Sequence, residues 1–234
     1  MGIIKFSFQK EKVSEKFMIA RKFFLEPGVL KASCHGFRIG SRDDYYFDID
    51  NLLNDPIKCS IILSIYLQKI NGILKKDRID LIAFIDKASG GSVGAIRLAS
   101  SISINTGIPN IIVRPGKEIN FEKIKIPFSK RPNAIDGIKK GLQKRKVLVV
   151  TDHCTSGIEV LNVAEDISEN NGNVAYAITY TLREDKFHFS DFKEKGIEVD
   201  VAYVLKEKQL KSEADLDNNL DMYEEKFVSN YKCA

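Results

Sequence analysis

The chain has 234 residues, 44% of them apolar and 29% charged, and its 36 basic and 32 acidic side chains give a formal net charge of +4. That length suits one α/β domain with a substantial core, and so small and mixed an excess charge does not point to nucleic acid. No charge-free apolar run reaches the roughly 18 residues of a membrane span, and Met1 to Phe17 lacks a signal-peptide pattern, so a cytoplasmic protein with reduced thiols is expected.

Val13 to Phe24 has helical periodicity and is closed by Glu26-Pro27-Gly28. Gly36 to Ser41 and Tyr45 to Ile49 read as two short extended segments around a polar turn. Asn54-Asp55-Pro56 places a capping residue before a proline in the first turn of an amphipathic helix, whose apolar periodicity runs from Ile57 to Ile70. From there strands and helices alternate. Leu81 to Ile85 is a short apolar strand, followed by a Gly/Ser-rich loop (Lys87 to Gly94) and a helix over Ala95 to Thr106. Gly107-Ile108-Pro109 leads into a strand over Asn110 to Val113, and a polar stretch from Pro115 to Arg131 comes before strand Val147 to Val150. The loop Thr151 to Gly157, a helix over Ile158 to Glu169, strand Val174 to Tyr180 and a last strand over Val199 to Leu205 follow. Continuous apolar strands between helices predict an α/β fold with a mainly parallel twisted sheet covered on both faces.

In open parallel sheets, ligands sit beyond the carboxyl ends of the strands. Thr155-Ser156-Gly157 lies between a buried strand and a helix start, where outward amides, hydroxyls and the helix dipole suit a phosphate. Asp152 is placed to bind ribose hydroxyls or to help hold magnesium. The same residues also suit a purely structural role, with Thr155 or Ser156 as a helix cap and Asp152 as a turn residue. Lys144-Arg145-Lys146 reads as a solvated face beside a strand.

Cys34, Cys59, Cys154 and Cys233 have no CxxC spacing, and His35, His153 and His188 are scattered. No structural zinc is expected, and no residue is assigned as a direct metal ligand. Cys154 reads as a small filler, and His153 as an exposed or core-satisfied histidine rather than a general base.

Val147 to Ile167 resembles the phosphoribosyl pyrophosphate signature of the type I phosphoribosyltransferases: apolar residues, two acids, two variable positions, then Thr/Ser-Thr/Ser-Gly-Gly-Thr/Ser. Asp152 falls on the second acid, and Thr155, Ser156 and Gly157 on the hydroxyl-hydroxyl-glycine run. Other segments are similar to orotate phosphoribosyltransferases in particular. Phe37 to Ser41 leading into Tyr45-Tyr46-Phe47-Asp48 and Leu52-Leu53-Asn54-Asp55-Pro56 resembles that family's N-terminal turn and helix start. Leu98-Ala99 through Gly107-Ile108-Pro109 to Val113-Arg114 resembles its middle, and Arg183 falls on the arginine that contacts the orotate base. The likeness keeps the family's order from Phe17 to Leu205.

The resemblance implies magnesium-dependent transfer of ribosyl 5-phosphate from phosphoribosyl pyrophosphate to orotate, a step of pyrimidine biosynthesis. It implies that Thr155, Ser156 and Gly157 bind phosphate and that Lys87, Ala88, Ser89, Gly90 and Gly91 form the pyrophosphate loop. Asp152, Arg114 and Lys117 take the catalytic roles, with Asp152 facing the ribose, and Arg183 binds the base. It also implies a homodimer, because the family's mobile loop donates its cations across the interface. The expected organisation is an N-terminal helix and hood-like segment (1–56), a phosphoribosyltransferase core (57–206) and a charged, weakly helical tail (207–234). The segment Lys87 to Gly94 also reads as a flexible glycine-rich surface loop.

The chain departs from the family pattern in four places. Thr151 stands where the first acid is expected, and Ile158 and Glu159 replace the second glycine and the next hydroxyl. The stretch Arg114 to Phe121 keeps an arginine and a displaced lysine without the family's histidine, and Gly40 stands for a lysine. A carboxylate at Glu159 pointing at a phosphate would be repelled by on the order of a few kcal/mol. The competing reading is a non-catalytic protein of this fold that binds a nucleotide or phosphoribosyl ligand, or a phosphoribosyltransferase for another base.

Overall fold

The computed structural model describes residues 19–20, 22–23, 29–32, 45–47, 49–85, 93–114, 134–136, 142–184 and 186–205. The N-terminal part forms a two-stranded antiparallel ribbon, β1 (Leu30–Ala32) with β2 (Tyr45–Phe47). The short helix α1 (Ile49–Leu53) follows. Ile49 begins this helix rather than extending the strand expected over Tyr45 to Ile49. Ile49, Leu52 and Leu53 have helical spacing, and burying all three on one side requires a helix. Of the helix expected over Val13 to Phe24, residues 19, 20, 22 and 23 are described; the first three are α-helical and Phe23 lies in a 3-10 turn.

Helix α2 (Pro56–Leu74) starts as its sequence indicates. The Asp55 carboxylate accepts from the backbone N–H groups of Ile57 (2.8 Å) and Lys58 (3.3 Å), and Pro56 takes the first turn, where no N–H is needed. By length and composition α2 could cross a membrane. Its Ile62, Ile65, Tyr66, Ile70 and Ile73 are instead buried in the core cluster beside the sheet. Each such aliphatic side chain contributes about 1.5–3 kcal/mol, whereas the partly exposed Lys69–Asp200 ion pair (2.7 Å) is worth about 1 kcal/mol or less. Apolar burial therefore anchors α2.

The main sheet is built from β3 (Leu81–Ile85), β4 (Asn110–Arg114), β5 (Ala134–Asp136), β6 (Lys146–Cys154), β7 (Asn173–Arg183) and β8 (Glu198–Leu205). Its order is β5-β4-β3-β6-β7-β8, and all neighbours are parallel except β5, which runs antiparallel to β4 at the edge. The helices α3 (Val93–Thr106), α4 (Ile158–Glu169) and α5 (Phe189–Glu194) complete the two outer layers. Alternate strand residues serve opposite faces. Ile82, Phe84, Leu148 and Val150 join the cluster under α1, α2 and α3, while Leu81, Ala83, Ile85, Val147 and Val149 join the one under α4 and α5. The mainly parallel sheet covered on both faces is thus the observed fold.

Two strands outrun the apolar stretches that mark them in the sequence. β6 continues through Thr151, Asp152, His153 and Cys154, residues expected to lie in the loop, and β7 continues past Tyr180 to Arg183. Threonine is β-branched and suits a strand once its hydroxyl has a partner. Thr179 Oγ1 donates to the Thr181 carbonyl (2.8 Å), and Thr181 lies 2.7 Å from His153 Nδ1. The edge strand β5 and helix α5 were not anticipated. Gly36 to Ser41, Pro115 to Arg131 and the tail 207–234 lie outside the described residues.

Candidate functional site

The strand order reverses at the centre of the sheet: the chain leaves β3 for β4 on one side and returns as β6 on the other. A crevice beyond the carboxyl ends follows from such a switch point. The last β3–β6 pair is Phe84 with Val150, while β6 runs on beside β7 through His153–Thr181 and Cys154–Leu182. The turn Thr155-Ser156-Gly157 and the start of α4 are thereby carried past the end of β3.

Backbone and side chains in this turn are mutually braced. Gly157 is the residue before α4, with a left-handed φ of 81° and no side chain to cap the helix. A Cβ there would lie 2.6 Å from the Phe192 ring and 2.7 Å from that of Phe187, so only glycine fits. Phe187 and Phe192 stack with centroids 4.7 Å apart and form the floor against which the turn closes. The His188 N–H donates to the Ser156 carbonyl (3.1 Å), and the Ile158 N–H reaches Ser156 Oγ (3.3 Å). The amides at the start of α4 and the positive end of its dipole form an anion-seeking surface.

Asp152 sits on β6 just before this turn. Its Oδ1 accepts from the His153 N–H (2.7 Å) and more weakly from Thr151 Oγ1 (3.3 Å), which fixes the carboxylate at the strand end. Beneath it, the Thr151 carbonyl accepts from the buried Tyr66 hydroxyl (2.9 Å). Burial, followed by the nearby Asp152 and Cys154 charges, pushes the Tyr66 hydroxyl well above its usual range, so it stays a donor.

Arg183 is the last residue of β7 and only 2% exposed. Its place on the strand next to β6 brings it to the same sheet end as Asp152, Thr155, Ser156 and Gly157. Arg114 ends β4, on the far side of β3 from β6, and only its backbone is described. Lys117 and the segment Lys87, Ala88, Ser89, Gly90 and Gly91 lie outside the described residues. Cys154 is buried against the aromatic floor cluster and acts as a filler. Thr151 is 5% exposed, whereas Ile158 and Glu159 are exposed in the first turn of α4.

Sequence reasoning missed three participants: Tyr66, the Phe187–Phe192 floor, and His153 as a bridge between β7 and the turn. Only the bulky apolar residues after Arg183 hinted at the floor. The roles of Tyr66 and His153 depend on partners 85 and 28 residues away, which no local pattern encodes. Among the described residues no cluster of His, Cys, Asp and Glu could by itself hold a metal ion.

No family model matches the chain. It is 27% identical over 176 residues to an orotate phosphoribosyltransferase of Methanopyrus kandleri, covering 75% of this chain and 82% of that protein. It is 28% identical over 163 residues to an orotate phosphoribosyltransferase of Pyrococcus horikoshii, covering 69% and 76%. The orotate phosphoribosyltransferase structure from Aeropyrum pernix superposes with a TM-score of 0.59 at 20% identity, over 88% of this chain and 99% of that one. An adenine phosphoribosyltransferase structure from Leishmania tarentolae gives a TM-score of 0.58 at 10% identity, over 85% and 90%. The protein thus has the type I phosphoribosyltransferase fold, and its sequence is similar to those of the orotate phosphoribosyltransferases.

Proposed function

We propose that the protein is an orotate phosphoribosyltransferase, moving the ribosyl 5-phosphate group from phosphoribosyl pyrophosphate to orotate. The observation that carries this reading is the convergence of Asp152, the Thr155-Ser156-Gly157 turn and Arg183 at the ends of two neighbouring strands in a chain related to such enzymes. The 5-phosphate sits in the turn, held by the α4 amides and the Thr155 and Ser156 hydroxyls. Asp152 accepts from the ribose hydroxyls and orients the sugar. Arg183 pairs with the orotate carboxylate, a contact for which the fork of a guanidinium is well matched.

In the reaction the bond from C1 of the ribose to pyrophosphate breaks as the orotate nitrogen, its proton passing to solvent, bonds to the same carbon, through a state with oxocarbenium character. Pyrophosphate departs with the bonding pair. The protein's part is positioning and stabilisation of that departing charge. Lys87 to Gly91 supplies the pyrophosphate loop, and Arg114 with Lys117 supplies cations, in a homodimer where they serve the neighbouring site. A lone carboxylate at Asp152, with Thr151 in place of a second acid, fits magnesium held mainly by the substrate's own oxygens. When bound, magnesium would supply charge neutralisation on the leaving group.

One observation favours a second reading, a protein that binds a phosphoribosyl ligand without turnover. Thr151 is buried and engaged with Asp152, so this pair of positions on β6 carries one carboxylate where the family pattern has two. Glu159 does not decide between them, because it is exposed at the helix start rather than packed within the turn. Calorimetric titration with phosphoribosyl pyrophosphate and magnesium, followed by orotate and a pyrophosphate assay, tests both. Binding with release of pyrophosphate supports the enzyme, binding without release supports the second reading, and absence of binding overturns both.

A further inference from the structure

His153 lies on β6 opposite Thr181 of β7. Its Nδ1 is 2.7 Å from Thr181 Oγ1, and its Nε2 is 3.1 Å from Thr155 Oγ1. One imidazole therefore spans from a fully buried threonine in the sheet to the first hydroxyl of the turn. A neutral imidazole has one donor and one acceptor nitrogen, so its tautomer sets the direction of both contacts. With the proton on Nδ1, Nε2 accepts a hydrogen bond from the Thr155 hydroxyl, and the Thr155 oxygen offers only lone pairs to an arriving anion. With the proton on Nε2, the ring donates to Thr155, whose own proton is then available to a phosphate. Thr181 in that case donates to Nδ1 across 2.7 Å, a shorter path than its 3.5 Å approach to the Asp152 carbonyl.

We propose that His153 is a positioning residue for phosphate binding: the ligand selects a ring protonated on Nε2, which holds Thr155 Oγ1 in place and aims its proton at the phosphate. The inference rests on the reading of Thr155 as a phosphate contact. It goes beyond the sequence expectation, under which His153 is an exposed or core-satisfied side chain rather than a general base.

The test titrates ribose 5-phosphate into the wild-type protein, His153→Val and His153→Gln, and records the imidazole nitrogen resonances of the wild type with and without saturating ligand. His153→Val is expected to bind roughly tenfold more weakly, as for loss of one oriented hydrogen bond to a charged group. His153→Gln, whose amide can donate to Thr155, is expected to stay within about threefold of the wild type. In the saturated wild type, Nε2 carries a proton. An unprotonated Nε2 at saturation, wild-type affinity in His153→Val, or a loss in His153→Gln as large as in His153→Val overturns the inference and leaves the phosphate reading standing. Where His153→Val fails to fold, His153→Gln and the resonances decide. A wild-type protein that does not bind ribose 5-phosphate overturns the phosphate reading and this inference with it.

Discussion

Gly157 does its work by lacking a side chain. Its left-handed φ and the two phenyl rings beneath it predict that Gly157→Ala costs about 2–4 kcal/mol, combining the backbone penalty with overpacking. Urea unfolding should register that loss, and ribose 5-phosphate affinity should fall with it, because the turn cannot close on its floor. Tyr66 acts from below. Tyr66→Phe leaves the Thr151 carbonyl buried without its 2.9 Å donor, and a loss of about 1–2 kcal/mol is expected in the same assay. Arg183→Leu keeps the bulk of a residue that is 2% exposed but removes the guanidinium. Under the proposed function it should raise the KM for orotate far more than that for phosphoribosyl pyrophosphate, as steady-state kinetics with each substrate varied would show. Of these residues, Gly157 and Arg183 are singled out in the sequence by their place in a motif, as expected phosphate and base contacts. Tyr66 is not, because an amphipathic helix does not reveal which backbone group its one hydroxyl will meet.

At the scale of elements, β6 is held at both ends. Its far end carries the turn, and its near end is tied by Lys146, whose Nζ donates to both oxygens of Asp77 (2.8 and 2.7 Å) and whose N–H donates to Asp80 (3.0 Å). The Lys146 contact, opposed in part by desolvation and aided by the Tyr176 hydroxyl, holds the Asp77 carboxyl below its usual range. The Lys146 N–H, followed by Arg78, does the same for Asp80. A carboxyl whose folded pKa is lowered contributes stability above its unfolded value, near about pH 3.9, and loses it as pH falls through the folded value. Asp77→Asn should therefore lower the urea midpoint at pH 7, and the gap from the wild type should close as pH falls through the lowered folded value of the Asp77 carboxyl. A gap that persists in acid would mean that the pair's charge is not what ties β6 at this end. The lengths of β6 and β7 were misjudged from the sequence for a related reason. Thr151 and Thr181 are polar, and they become strand residues because their hydroxyls find partners once the strands are in place, Thr151 at the adjacent Asp152 carboxylate and Thr181 at His153 of neighbouring β6.

For the whole molecule, a ligand that binds only the folded state stabilises it by about 2.7 kcal/mol at a hundred times its Kd. Phosphoribosyl pyrophosphate with magnesium should accordingly raise the thermal midpoint, and the absence of a shift at millimolar concentration would contradict the proposed function. The alternation of apolar strands with amphipathic helices, the capped start of α2 and the order of the family motifs were all readable along the chain. Each is written in residues close together, where propensity, periodicity and turn chemistry act. What only the tertiary structure decided is how far β6 and β7 extend, and that their register sets His153 against Thr181. It also decided that two phenylalanines beyond Arg183 return beneath Gly157. These features rest on contacts between residues distant in sequence, and their energies exist only once the sheet has aligned.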